Sequence, residues 1–352
     1  MSNRLSNFTR FLRYLFDIAA VILEKRRNLS RVKTKEEGTI MKFKEYERCE
    51  LCPRRCRVNR NAGEIGFCGE GAEMRIASIG AHFGEEPPIS GTNGSGTVFF
   101  SGCSLQCSFC QNYQISLQHL GDVMSVDRVV AELTNLYYQR SIHNVNFVTP
   151  DHFFPHTMQI VRQLREHDIN IPALYNMSGY ERVAMLRQLE PIADIYLPDF
   201  KYADKALAEQ LSHCRDYPAV ALDALAEMLR QKGMLDIFRT DPPGEIATQG
   251  VLVRHLILPG QTQNSLDALT ALFVEFGKRL PISLMSQYHP TQPCPVSSFD
   301  RRIALAEFEQ VYDHAMSLGF EHLFVQFPEE RRKEELEFLP DFSKEQPFAG
   351  NT

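Results

Sequence analysis

Three cysteines, Cys103, Cys107 and Cys110, stand in the stretch FFSGCSLQCSFCQNYQIS, directly behind a short apolar run. Four more, Cys49, Cys52, Cys56 and Cys68, follow the spacing C-x2-C-x3-C-x11-C in CELCPRRCRVNRNAGEIGFCG. The chain has nine cysteines, an odd number, with seven of them between Cys49 and Cys110. With no convincing secretion signal ahead of them, that clustering favours metal ligation over a disulfide framework. Cys214 and Cys294 fall outside both groups and read as a free thiol on a helix and another on a loop.

The two groups suit different chemistry. Four soft ligands among Pro53, Gly63, Gly66 and Gly69 can close around a metal, because glycine and proline let the loops bend back sharply. Zinc and an iron–sulfur cluster both satisfy that set, and four incidental buried cysteines are the plain alternative. Three thiolates pose a narrower question. A cubane [4Fe–4S] cluster held by four cysteines is a closed electron carrier, whereas three cysteines leave one iron open to an outside ligand. The alternatives for Cys103, Cys107 and Cys110 are a zinc loop or reduced thiols.

These residues need a scaffold, and the pattern around them supplies one. Strands are predicted near 97–101, 145–149, 171–175, 194–198, 251–258 and 282–287, with a further one at 322–327. Helical stripes lie between them: Val126, Val129, Val130, Leu133, Leu136 and Tyr137; Leu266, Leu269, Phe273 and Phe276; Leu305, Phe308 and Tyr312. Alternating βα units imply a parallel sheet, and about six of them a partial or full barrel. Such barrels carry their reactive groups at the C-terminal ends of the strands. The three-cysteine loop follows the first strand there. Thr149, Pro150, Asp151 and His152 follow the second, Asn176, Met177 and Ser178 the third, Asp199 and Lys201 the fourth, and Gln287, Tyr288 and His289 the sixth.

The C-x3-C-x2-C spacing, with Phe109 directly before the last cysteine, resembles the signature of the radical S-adenosylmethionine superfamily. From about Cys49 to Phe327 the chain is similar to a group of that superfamily related to the pyruvate formate-lyase activating enzyme, in the phrases LCPRRCRVNR, VNFVTPDHFFP, YNMSGYE, DIYLPDFKY, VLVRHLILPG and MSQYHP. The resemblance implies a [4Fe–4S] cluster on Cys103, Cys107 and Cys110 whose open iron takes the amino and carboxylate groups of S-adenosylmethionine. It also implies reductive cleavage of that cofactor to a 5′-deoxyadenosyl radical, a flavodoxin or ferredoxin-like electron donor, and a glycyl-radical type protein substrate. By position it places Asn176, Asp199, Lys201, Arg254 and His289 at the cofactor. Where activating enzymes carry Gly-Gly-Glu-Pro, this chain has VTPDHF, so Thr149 and Asp151 are the expected substitutes, with a strand-end turn and helix cap as the alternative for Asp151 and His152. Lys201, Arg254 and Asp199 have the alternative of plain structural ion pairs, and His289 that of a satisfied polar residue.

Composition sets the frame. The chain has 352 residues, 43% of them hydrophobic and 23% charged, long enough for one large α/β domain with an appendage. Its net charge of −6 argues against a nucleic-acid partner. Phe8, Phe11, Leu12, Leu15, Phe16, Ala19 and Ile22 recur at helical spacing ahead of a basic stretch, interrupted by Arg13 and Asp17. That segment falls short of the roughly 20 apolar residues of a transmembrane span. It reads as an added helix, as a membrane-surface or partner helix, or as sequence ahead of a translation start at Met41. The expected architecture is α/β: a partial (β/α)6 TIM-like radical SAM barrel with an N-terminal cysteine-rich module. The expected segments are 1–40 as a helical and basic extension, 41–95 as the module, 96–328 as the core and 329–352 as a tail. The expected protein is a cytoplasmic enzyme abstracting hydrogen from a partner protein, or else from a peptide or small molecule. An iron–sulfur carrier or a zinc-stabilised binding protein is the alternative of another class.

Overall fold

The computed structural model describes residues 41–239, 243–294, 296–328 and 339–348. The N-terminal extension expected over 1–40 lies outside the described residues. Among the described residues ten strands occur in the order β1 (Arg75–His82), β2 (Ser95–Phe100), β3 (Asp122–Val123), β4 (Val145–Val148), β5 (Ala173–Met177), β6 (Ile195–Pro198), β7 (Gly250–Val251), β8 (Val253–Leu256), β9 (Ile282–Met285) and β10 (Leu323–Val325). From β2 onward every neighbouring pair along β2, β4, β5, β6 and β7, and along β8, β9 and β10, is parallel. This is the βα series that the alternating pattern predicts, with the further strand at 322–327 realised as β10.

The expected strand at 251–258 divides. Val251 pairs with Tyr196 of β6 while Val253 pairs with Ile282 of β9, so one short stretch of chain changes partners across the buried Leu252. A bridge between Asp199 and Arg254 ties the two arcs together. The third strand is displaced by two residues to Ala173–Met177, which puts Asn176 and Met177 inside it; Pro172 offers no N–H for a ladder.

Two elements were not expected. Strand β1 pairs antiparallel with β2, from Ile76 opposite Phe100 to His82 opposite Ser95, and β3 pairs with β1 on its far side. Only Ile76 of β1 is fully buried, so the strand shows none of the clean alternation that would reveal it in sequence. Through β1 the residues ahead of the first parallel strand join the same sheet. Among the described residues strand β10 pairs with β9 alone, which leaves the barrel partial there.

Alternation along the strands separates two interiors. Outward residues such as Val98, Phe147, Tyr175 and Tyr196 join the main core together with Val129, Val130, Leu133, Ile160 and Leu164 from the covering helices Val126–Arg140 and Phe154–Glu166. Inward residues Leu174, Ile195, Leu197 and Leu252 pack with Ile89, Leu235, Ile237 and Ala247 and close the lumen. Ile89 belongs to the connection between β1 and β2, which therefore plugs the barrel at the N-terminal end of the parallel strands.

Candidate functional site

The loop after β2 is held from several sides. Gly102 has φ +80 and donates to the Ile115 carbonyl at 2.9 Å. A Cβ there would stand 2.5 Å from Glu70 Cγ and 2.7 Å from the Cys68 carbonyl oxygen, so the position requires glycine. Cys103 donates its N–H to that same Cys68 carbonyl at 3.2 Å, and Arg54 donates to the carbonyls of Ser104 at 2.8 Å and Ser212 at 2.6 Å. The cysteine-rich module thus packs directly on the loop. Phe109 anchors the loop's end edge-on against Tyr202 and Phe299.

All three thiols, Cys103, Cys107 and Cys110, line one cavity of about 240 Å3. Each sulfur has a donor: Leu105 N–H to Cys103 Sγ at 3.4 Å, Ser212 hydroxyl to Cys107 Sγ at 3.0 Å, and Ser116 hydroxyl to Cys110 Sγ at 3.2 Å. Burial and then the neighbouring Cys107 push the Cys110 thiol up to about 11, and burial with both neighbours raises Cys103 well above its ordinary value. Two buried thiols, Cys103 and Cys107, and the half-buried Cys110 gathered at one cavity suit a positively charged centre among them. Among the described residues no three His, Cys, Asp or Glu side chains converge on a single-ion site. A cubane offers a separate iron to each thiolate, so three sulfurs around one cavity fit it better than they fit a lone ion.

The strand-end residues divide into those that face this cavity and those that do not. Thr149, Asn176, Asp199, Lys201, Arg254 and His289 line it. Thr149 sits at φ +54, an uncommon conformation for a β-branched residue, with its N–H on the Asn176 carbonyl at 2.9 Å. Lys201 and Asp199 form an ion pair. Burial opposes the Lys201 charge, but Asp199 and the thiols of Cys107 and Cys110 hold its pKa above the ordinary lysine value. His289 sets Nδ1 on the Pro290 carbonyl at 3.0 Å. Asp151 is fully buried outside the cavity lining, where Ser104 and Ser178 donate to its carboxylate at 3.2 and 3.0 Å. Burial pushes its pKa up to about 6 against those two bonds. His152 is also buried, with Nε2 on the Ser101 carbonyl at 2.7 Å.

Glu85 and Glu86 also line the cavity, and nothing in the sequence reading singled them out. Arg254 donates through Nε to Glu86 at 2.9 Å and through Nη2 to Glu86 at 2.6 Å, and pairs with Glu85 as well. Their signal was available as two adjacent glutamates ahead of two prolines in GEEPPIS, a segment to which the sequence pattern assigned no element.

Of the four N-terminal cysteines, Cys56 and Cys68 come close together across Gly66. Cys49, Cys52 and Cys68 are buried and Cys56 is half-buried, with the sulfurs of Cys56 and Cys68 each 3.4 Å from where a Gly66 Cβ would stand. Arg60, 1% exposed, lies beside them: it donates to the carbonyls of Gly71 and His152, and its guanidinium stacks over Tyr46 at 4.0 Å. Burial works against its charge, and the Tyr46 phenol and the Cys68 and Cys49 thiols sustain it. Cys214 is buried in the core, and Cys294 Sγ lies 3.5 Å from the Ser108 hydroxyl.

Residues 97–272, half of the chain, match the family model of the radical SAM superfamily. The chain belongs to the radical SAM superfamily. This radical SAM protein is 28% identical over 289 residues to an uncharacterised protein, MJ0674, of Methanocaldococcus jannaschii, covering 79% of this chain and 77% of that one. Among solved structures it is similar to Streptococcus suis SuiB bound to S-adenosylmethionine (10% identity, TM-score 0.43, 64% of this chain and 48% of that one). Others are methylornithine synthase (13%, 0.40, 61% and 59%) and the methyltransferase TsrM of Kitasatospora setae (12%, 0.43, 64% and 52%). The match spans about half the length of each of those solved chains. As a family member the radical SAM protein is expected to use a [4Fe–4S] cluster and S-adenosylmethionine. Among its described residues no helix is long and apolar enough to cross a membrane.

Proposed function

We propose that the three-cysteine loop and its cavity cleave S-adenosylmethionine reductively and direct hydrogen abstraction from a substrate held in the barrel. The observation that carries this reading is that Cys103, Cys107 and Cys110 all face one cavity walled by the strand ends. When bound there, the cluster would supply the single electron that reductive cleavage of the cofactor's sulfonium requires. The protein's own residues hold and position. Cys103, Cys107 and Cys110 would ligate the cluster. Lys201 and Arg254 place ammonium and guanidinium charge, respectively, at the wall, and Asp199, Asn176, Thr149 and His289 offer polar groups to the cofactor's amino acid and ribose. Asp151 acts through Ser104, fixing the turn next to Cys103 rather than reaching the cavity.

The first substrate we propose is a glycyl-radical type partner protein, on the resemblance of the segments from LCPRRCRVNR to MSQYHP. The cavity favours a second reading, a small molecule or peptide, because Pro340 and Phe348 of the C-terminal segment form part of its wall. For the module at 41–95 we propose a second thiolate centre, zinc or an auxiliary cluster, on Cys49, Cys52, Cys56 and Cys68. Arg60 supports it, since a buried guanidinium beside sulfurs calls for negative charge among them. We place the protein in the cytoplasm, where unpaired thiols stay reduced, with a flavodoxin or ferredoxin-like donor and no nucleic-acid partner.

The test is anaerobic reconstitution followed by reduction with dithionite. Wild-type protein should hold about four irons at this site and release 5′-deoxyadenosine and methionine, and Cys107→Ala should lose both. A fully loaded protein that yields no 5′-deoxyadenosine with any reductant sinks the proposal and favours the electron carrier.

A further inference from the structure

The far end of the cavity, away from the cysteines, carries more negative charge than its partners neutralise. Strand β1 runs antiparallel to β2 and ends at His82 opposite Ser95, the first residue of β2, whereas the cysteine loop follows Phe100 at its last. Six residues of strand at about 3.3 Å each separate the two ends. Glu85 and Glu86 follow His82, so they enter the lumen from the plugged end.

Their surroundings are specific. Glu85 Oε1 accepts from Asn146 Nδ2 at 2.7 Å and Asn176 Nδ2 at 3.5 Å, and its other oxygen takes Arg254 Nη2. Both Glu86 oxygens are taken by Arg254. One guanidinium therefore serves two buried carboxylates, whose side chains are only 6% and 7% exposed. Burial acts to raise the Glu85 pKa, yet Arg254 holds it below the ordinary carboxylate range. Burial lowers that of His82, which keeps the imidazole from supplying the missing charge. The other cation on the wall, Lys201, is already paired with Asp199. Counting Glu85, Glu86 and Asp199 against Arg254 and Lys201 leaves one negative charge over.

A second observation points the same way. Asn146, itself buried, has no donor for its Oδ1 although its amide nitrogen serves Glu85. An acceptor left over beside a surplus carboxylate suits a ligand that brings hydrogen-bond donors and positive charge together. Phe99, Val148, Leu256, Met285 and Phe348 supply apolar wall for a hydrocarbon stem.

We propose that this floor is a substrate subsite for a cationic group, an alkyl-ammonium or guanidinium, with Glu85 as its counter-charge. The assignment to substrate rests on the radical SAM reading, in which the cofactor's amino acid end stays at the cysteine loop. The subsite then fixes the substrate by its charged end and leaves its stem to run toward the cofactor.

The test titrates L-lysine and agmatine into the full-length protein by anaerobic calorimetry, with L-norleucine as the uncharged counterpart of lysine, in the presence and absence of S-adenosylmethionine. The cationic ligands should bind at least tenfold more tightly than norleucine, and should do so with the cofactor already bound. Glu85→Gln should cost them at least tenfold while its melting temperature stays near wild type, since Glu86 remains to pair with Arg254. Equal binding of lysine and norleucine overturns the proposal, as does absence of binding by either cation, or undiminished binding to Glu85→Gln. Competition with S-adenosylmethionine assigns the charge to the cofactor and overturns it too. If Glu85→Gln fails to fold, the lysine and norleucine contrast in wild type decides alone. Cofactor binding in the same samples reports separately on the radical reading, so either can fail without the other.

Discussion

Replacing Gly102 with alanine tests whether the cysteine-rich module is packed on the three-cysteine loop. At φ +80 an alanine first meets left-handed strain of about 1–2 kcal/mol. Its methyl would then stand 2.7 Å from the backbone carbonyl of Cys68 and 2.5 Å from Glu70 Cγ. Neither neighbour can yield easily: the carbonyl accepts from Cys103, and Glu70, 4% exposed, is held by His119 at 2.8 Å and Arg75 at 3.6 Å. Overpacking of this kind costs about 1–3 kcal/mol. The sum is about 2–5 kcal/mol, or a melting temperature lower by roughly 4–20 °C at roughly 2–4 °C per kcal/mol. Gly319→Ala is the matched control, because its φ is +83 and nothing lies within 4 Å of its Cβ position. It carries the strain without the collision. Thermal denaturation of both variants beside the wild type separates the two costs. If Gly102→Ala melts no lower than Gly319→Ala, the module does not press on the loop as described.

Three further outcomes are expected. Burial, with Arg60 next, pushes His152 down to about 3, and burial likewise holds His156 at about 3; both fold as neutral imidazoles, so their stabilisation is complete above the unfolded value near 6.5 and is lost as pH falls toward 3. Between pH 7 and pH 5 each costs about 2 kcal/mol, and denaturant titrations showing no loss over that interval would contradict the burial of these two histidines. Ser212→Ala removes the hydroxyl on Cys107 Sγ, so the reduction potential of the reconstituted cluster should fall, on the order of 20–60 mV for a one-electron couple, at unchanged iron content; an unmoved potential in spectroelectrochemistry would dismiss the bond. Cys52→Ala with Cys56→Ala should remove a second metal equivalent, one zinc or about four irons, and lower the melting temperature, whereas full metal content and stability would show that these cysteines are not ligands.

Much of the site was legible because it depends on local spacing. Three thiols within eight residues can share one centre whatever the rest of the chain does, and their place behind an apolar strand follows from the βα rhythm. The same rhythm put Thr149, Asn176, Asp199, Lys201 and His289 at strand ends, the family resemblance added Arg254, and all six line the cavity. Asp151 shows the limit of that reasoning, since adjacency to a strand end says nothing of which way a side chain turns. In the fold it turns under the loop to Ser104 and Ser178.

What the sequence alone determined, then, was the parallel series, the three-cysteine loop after its first strand and the chemistry such a loop supports. Tertiary structure decided what stands across the cavity from that loop. Strand β1 lacks a periodic signal because it lies half-buried against a single flanking pair of strands, and its antiparallel pairing with β2 carries Glu85 and Glu86 to the floor. Arg254 meets them across 168 residues of sequence. No local pattern encodes an ion pair of that span; it exists because closing the sheet brings the two ends of the chain's central segment to the same lumen, where buried charges must find partners.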